Sequence, residues 1–334
     1  MERVGLKRIL GGVAGVLLAG GLLAWSFDHA GADAIARALA AFSLWALLPA
    51  LLCEAVVQAS KALKWTAILS GLKPVRYRNA LSAVLVGAAS THLVPLRLDE
   101  VLRAALLARR EGLPAAAVMG TVAIDRVVEV LVAGVLLGVV AMGPGLPPWM
   151  RAGAGVLWLG FAVVVGGMLL FLKTESAWAG RLRASKVPGL AAAAGLLSSL
   201  AVGLRSLPRA RALVAVIVGA VGEWGATIAF YAWMLRVFDV QADRTLAVVM
   251  ALGNTIAYAV PNVPGAIGTF EALQTSILVH GADLPEATAL ALALAAHGVV
   301  MVPVTLAGLA VGLLEWRRGG LRLPANPPPE PGDG

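Results

Sequence analysis

The fold class this sequence predicts is an all-α polytopic membrane protein, an inverted repeat with two re-entrant (broken) helix hairpins. Three observations predict it. The 334 residues are 59% hydrophobic, with a mean hydropathy of +0.85, which is too apolar for a soluble domain. The basic residues gather in short segments between apolar runs, as they do on the cytoplasmic side of membrane proteins. Two apolar stretches in matching positions are interrupted by proline or glycine, the pattern of discontinuous helices in transport folds.

Charge and cysteine content narrow the function classes. The net charge is +8, yet it lies in loop-like clusters and forms no basic face, so it reads as a topology signal and gives no reason to expect nucleic acid as a partner. Cys53 is the single cysteine, which leaves no disulfide framework and no cysteine-rich metal site.

The elements follow in order. Arg3, Lys7 and Arg8 precede an apolar run at 9–27, a pattern shared by signal peptides and retained anchors; its length favours an anchor with a cytoplasmic N-terminus. Residues 1–41 are thus an anchor and an outer loop. A crossing is expected at 42–69, returning to Lys73, Arg76 and Arg78. Glu54, Gln58, Lys61 and Trp65 are spaced by four, three and four residues, which puts them on one helical face. The alternative for Lys61 and Lys64 is snorkelling to the headgroups.

Residues 79–95 are apolar but short, end at Pro95, and are followed by an amphipathic basic segment at 101–110. This is the first broken pair, entering and leaving on the cytoplasmic side. One crossing followed by an interfacial helix is the alternative. Leu113 and Pro114 then start a span to about Met142 that carries Asp125, Arg126 and Glu129, with Arg126 and Glu129 spaced for a local ion pair. A nearly uncharged outer loop follows, then a return at 152–172 to Lys173, Arg181, Arg183 and Lys186. Residues 189–207 have basic residues beyond both ends, so an interfacial or partly inserted helix is expected there.

The second half opens with an outward crossing at 212–238, on which Glu223, Thr227 and Tyr231 share a face. The stretch 245–278 is the second broken pair. Pro261 and Pro264 each remove a donor, Gly265 and Gly268 loosen the turn, and each half is shorter than the roughly 20 residues of a crossing. Such backbone survives at membrane depth only inside protein or beside water. Glu271 follows near the start of the second half-helix, where a carboxylate needs a cavity or a partner. An inward crossing at 284–314 leads to Arg317 and Arg318, and the Pro-rich 324–334 is expected to be a disordered tail, since it cannot bury a core. The membrane domain thus spans 42–323, with repeats at about 42–142 and 209–318. Each has a helix, a broken pair and a helix, in opposed orientation.

With these residues in place, the chain over about 42–318 resembles the lysylphosphatidylglycerol synthase transmembrane-region family, also called flippase-like membrane proteins. Pro95, Arg97 and Glu100 match a Pro-x-Arg-x-Gly-Glu type motif, with Asp99 where the family usually has glycine. Asp125 and Arg126 look like the family's acid-Arg pair. Pro264, Gly265, Gly268 and Glu271 match its Pro-Gly-x-x-Gly-x-x-Glu type motif. The resemblance implies movement or presentation of a lipid that is aminoacylated, glycosylated, isoprenoid-linked or an ordinary phospholipid. Larger relatives add a cytoplasmic aminoacyl-transferase domain, which this sequence does not reach, so the chain is expected not to be the synthase.

The expected function is therefore lipid flipping or transport in the cytoplasmic (inner) membrane. Arg97, Arg103 and Arg126 are the candidate phosphate contacts. Glu223 and Glu271 are candidates to balance an amine or carry a coupling proton, and Glu271 is expected to neutralise Arg126 in the empty cavity. Glu100, Asn254, Pro264, Gly265 and Gly268 complete the candidate substrate-binding set, the glycines by letting backbone approach a headgroup. No cofactor is expected. His29, His92, His280 and His297 lack the spacing of a zinc helix. An intramembrane lipid-modifying enzyme, and a non-transporting partner of a lipid synthase or glycosyltransferase, stay open as alternatives.

Overall fold

The structure, a computed structural model, describes residues 33, 36, 44–93, 99–141, 148–184, 190–205, 210–241, 244–259 and 264–317. The expected anchor at 9–27, the tail at 324–334, Pro95, Arg97 and Pro261 lie outside them. A 3-10 turn at Leu44–Ala46 leads into α1 (Leu47–Leu69), followed by α2 (Tyr77–Leu93), α3 (Asp99–Glu111), α4 (Ala115–Ala141), α5 (Pro148–Ala184) and α6 (Leu190–Arg205). The second half holds α7 (Ala210–Val237), α8 (Arg244–Ala259), a 3-10 turn at Pro264–Ala266, α9 (Thr269–Ala282) and α10 (Glu286–Arg317). Among the described residues every regular element is helical.

Local chemistry sets the boundaries. Pro49 sits in the first turn of α1, where its missing N–H costs nothing. Pro114 lies just ahead of α4, and its carbonyl accepts from the amides of Ala117 and Val118. The expected start at Leu113 and Pro114 thus moves by one or two residues. The return helix is longer than expected: α5 continues through Lys173 to Ala184, held where Glu175 meets Arg205 and Ser198 of α6. The 16 residues of α6 pack against α4 and α5.

Three segments are long and apolar enough to cross a bilayer by length and composition: Trp158–Ala184, Arg211–Val237 and Glu286–Arg317. Their outward side chains are apolar, as at Leu159, Val163, Val218, Val221, Leu306 and Leu309, which suits lipid contact. At 23 and 27 residues, α1 and α4 also have the length. Each carries three charged residues, Glu54, Lys61 and Lys64 on α1 and Asp125, Arg126 and Glu129 on α4. These charges turn inward and form the site.

The most extensive helix pairing is α1 on α7, and it joins the two halves of the chain. Small residues make it close. A Cβ on Gly219 would stand 2.8 Å from the Lys64 backbone nitrogen, and one on Gly222 would stand 2.6 Å from Ser60 Oγ. Around this pair α2 packs on α3 and α10, and α8 packs on α9, α7 and α4. The α8–α9 turn rests against the end of α2. It reverses through positive φ at Gly265 (66°), Ala266 (55°) and Gly268 (84°), a backbone that glycine adopts without a Cβ penalty.

Candidate functional site

A cavity of about 430 Å³ lies between the two halves, lined by α1, α2, α4, α7, α8 and α10 with residues from the start of α3. The α1 face read from the sequence opens onto it through Glu54, Gln58 and Lys61, and the α7 face through Glu223, Thr227 and Tyr231. Gln58 Nε2 donates to Glu54 Oε1 over 2.7 Å. Among the described residues, four polar atoms of wall side chains are buried without a hydrogen-bond partner: Gln58 Oε1, Asp99 Oδ1, Arg103 Nε and Asn254 Oδ1. A buried polar atom left unpaired costs about 1–3 kcal/mol.

Behind the wall is a network of ion pairs from four helices. Lys64 Nζ lies 2.7 Å from Glu223 Oε2, 3.1 Å from Asp125 Oδ1 and 3.2 Å from Glu129 Oε1, with its side chain 1% exposed. Snorkelling is thus overturned for Lys64, because three carboxylates hold its ammonium inside the protein. Lys61, with its side chain 37% exposed, reaches Glu223 only at 3.8 Å. Arg103 Nη2 donates to Asp125 Oδ2 over 3.1 Å, and its guanidinium lies 5.0 Å from the Trp65 ring centroid, close enough for cation–π attraction. Trp65 is fully buried and donates from Nε1 to Thr121 Oγ1.

Arg126 pairs with Glu100 and with Glu129, the partner expected from spacing, and approaches Asp99 Oδ2 at 3.8 Å. Its side chain stays 36% exposed and reaches the cavity wall. The expected pairing of Arg126 with Glu271 does not occur. Glu271 is 3% exposed, and both its oxygens are occupied: Oε2 accepts from the Gly268 amide over 2.6 Å and Oε1 lies 2.6 Å from His297 Nδ1. A carboxylate three residues into a helix caps the free amides of its own first turn, and here that local bond wins.

Of the sequence candidates, Arg103, Arg126, Glu223 and Asn254 line the cavity. Glu100 supports Arg126. Gly265 and Gly268 of the α8–α9 turn and Glu271 of α9 are buried and are not among the lining residues, and a Cβ on Gly265 would stand 3.2 Å from Met301 Sδ and 3.6 Å from His92 Cα. The positive φ at Gly265 favours glycine there whatever the surrounding space. Pro264 begins the 3-10 turn, and Arg97 lies outside the described residues.

Sequence reasoning missed a second polar chain. His297 Nε2 lies 3.2 Å from the Tyr258 hydroxyl, that hydroxyl 3.5 Å from His92 Nε2, and His92 Nδ1 2.7 Å from Thr305 Oγ1. Phe270 stacks on the His297 ring at 4.3 Å. These residues come from α2, α8, α9 and α10 at unrelated spacings, so no motif announces them. The one available signal was histidine within apolar helices. Among the described residues no group of three His, Cys, Asp or Glu side chains is placed to hold a metal ion.

Long apolar helices around a buried charged cavity define a multi-pass helical membrane protein. The family model described as Lysylphosphatidylglycerol synthase TM region matches residues 12–308, and the chain belongs to that family, which ties it to lipid biology. Comparison with curated proteins and with solved structures finds no match.

Proposed function

We propose that the protein moves a lipid across the cytoplasmic membrane, taking its headgroup into the cavity between the two halves. The observation that carries this reading is the polar cavity of about 430 Å³ between the two halves, inside a shell of apolar helices. A headgroup bearing an amine and a phosphate would find acceptors and donors for both on its wall. The charged lining agrees: carboxylates at Glu54, Asp99, Glu129 and Glu223 face cations at Lys61, Arg103 and Arg126. The acyl chains would remain against the apolar outer helices.

An inverted repeat is the architecture proposed for this movement, with α1–α4 related to α7–α10 and the α2–α3 and α8–α9 hairpins re-entrant from opposite sides. It is supported by counterpart contacts: α2 on α10 and α8 on α4, α2 on α3 and α8 on α9, with α1 and α7 as the central pair. Hairpin helices of 13 to 17 residues are shorter than a crossing. On this reading the N-terminus is cytoplasmic. Cysteines placed near Gly145 and Asp243 should then label from outside and one near Arg183 only from inside; outside labelling at Arg183 would reject the topology.

Reconstitution into liposomes with headgroup-labelled phosphatidylglycerol, phosphatidylethanolamine, lysylphosphatidylglycerol and an isoprenoid phosphate tests the function. Faster equilibration of at least one probe than in protein-free liposomes is expected. Equal rates for every probe would reject movement and favour a partner role beside a lipid synthase or glycosyltransferase.

A further inference from the structure

We infer that Glu271, His297, Tyr258 and His92 form a one-proton binding site that couples protonation to lipid movement; this rests on the transport reading above. The chain is continuous, from Glu271 Oε1 to His297 Nδ1 (2.6 Å), His297 Nε2 to Tyr258 Oη (3.2 Å), Tyr258 Oη to His92 Nε2 (3.5 Å) and His92 Nδ1 to Thr305 Oγ1 (2.7 Å). Glu271 and His297 are sealed from solvent, at 3% and 4% exposed. His92 and Tyr258 stand on the cavity wall. The chain therefore links a closed carboxylate to the space proposed for the headgroup, and it joins α2 in the first half to α8, α9 and α10 in the second.

Donor and acceptor counting gives the chain two settings. With Glu271 ionised and both imidazoles neutral, His297 Nδ1–H donates to the carboxylate and the Tyr258 hydroxyl donates to His297 Nε2. His92 Nε2–H then donates to Tyr258, and the Thr305 hydroxyl donates to His92 Nδ1. One added proton on the Glu271–His297 pair puts hydrogen on His297 Nε2. Tyr258 must then accept from His297 and donate to His92 Nε2, which moves the His92 proton to Nδ1, where it donates to Thr305. The released Thr305 hydroxyl has a second acceptor ready, the Met301 carbonyl at 2.6 Å. A single proton thus reverses every bond from His297 to Thr305, with no oxidant or further reactant.

The same proton weakens the cap of α9. Glu271 Oε2 holds the Gly268 amide at 2.6 Å, and a carboxylate that shares a proton is a poorer acceptor. Gly268 belongs to the positive-φ turn that rests on α2 beside His92. The charges acting on the chain from neighbouring helices are Glu54 and Lys61 on α1 and Asp99 at the start of α3. Tyr231 on α7 is the further titratable side chain near Tyr258. Any headgroup that neutralises Glu54 or Asp99 therefore changes the field at His92 and Tyr258, which is the coupling between lipid and proton.

The test has two arms. In nanodiscs, side-chain nitrogen NMR of histidine-labelled protein follows His92 across pH. Glu271→Gln should move its titration midpoint by about one unit, as expected of interacting sites, and the same substitution in a Tyr258→Phe background should leave it unmoved. A His92 midpoint indifferent to Glu271→Gln in folded protein overturns the inference; if Glu271→Gln does not fold, His297→Gln takes its place with the same outcomes. In liposomes holding labelled phosphatidylglycerol, phosphatidylethanolamine, lysylphosphatidylglycerol or an isoprenoid phosphate, an imposed pH gradient should change the wild-type rate for the lipid that is moved about fivefold or more, the lower end for coupled sites. His297→Gln should lose that response while still moving lipid at equal pH. Retained gradient response in His297→Gln also overturns the inference. Wild-type protein that moves none of the four labelled lipids counts against the transport reading instead, and the histidine titration still decides whether the proton site exists.

Discussion

Lys64 and Arg126 are both ringed by carboxylates and share Glu129, yet one is sealed and the other opens to the cavity. Lys64 has 1% of its side chain exposed, Arg126 36%. Lys64 joins α1, α4 and α7 across the central pair, so its role is to hold the two halves together. Arg126 meets Glu100 and Asp99 of α3 beside the first hairpin, and its side chain reaches the cavity wall. Two neighbouring cations with similar partners thus differ in function because only one keeps contact with the space a substrate would fill.

The largest effect expected from breaking this contrast is at Lys64. Lys64→Met leaves Glu223 buried without its main cation and Asp125 with Arg103 alone, and removing one partner of a buried pair costs about 3–5 kcal/mol. Thermal unfolding in detergent should show a large loss of stability; an unchanged melt would mean the hub is not structural. Arg126→Gln should instead leave the melt within a few degrees while slowing lipid movement about tenfold or more, since a hydrogen bond to a charged group contributes about 1.5–3 kcal/mol. Equal losses of stability in the two variants would erase the distinction drawn between them.

Gly222→Val sharpens the same contrast without touching a charge. Its added carbons meet Ser60 and push α7 from α1, which carries Glu223 away from Lys64. Overpacking of this kind costs about 1–3 kcal/mol, read as a lower melting temperature, and combining it with Lys64→Met should give less than the sum of the two losses. The smallest effect belongs to Lys61→Ala. At 3.8 Å from Glu223 and partly exposed, Lys61 contributes under about 1 kcal/mol to stability. A substantial shift in melting would show that it, too, belongs to the hub.

Much of the helical plan was legible in the sequence. Hydrophobic run length marks α1, α4, α7 and α10 because an apolar helix is the element that satisfies its own backbone in lipid. Proline, glycine and short run length marked the α8–α9 turn, where steric rules act within a few residues. Helical spacing alone placed Glu54, Gln58 and Lys61 on one face, and Glu223, Thr227 and Tyr231 on another. The Arg126–Glu129 pair is likewise a product of one helix.

What the sequence could not determine was every partner chosen across helices. Glu271 was legible as a carboxylate needing a partner, but its choice of Gly268 and His297 over Arg126 depended on how α9 and α10 pack. Lys64 was indistinguishable from a snorkelling lysine until α7 brought Glu223 within 2.7 Å. His92, Tyr258 and His297 lie far apart in the chain and became neighbours only when the second hairpin's turn seated on the end of α2. Local spacing decides which residues share a helical face, because backbone geometry repeats from residue to residue. Which charge meets which was decided by tertiary structure alone, because burial removes water as a competing partner and leaves each buried group only the neighbours that packing supplies.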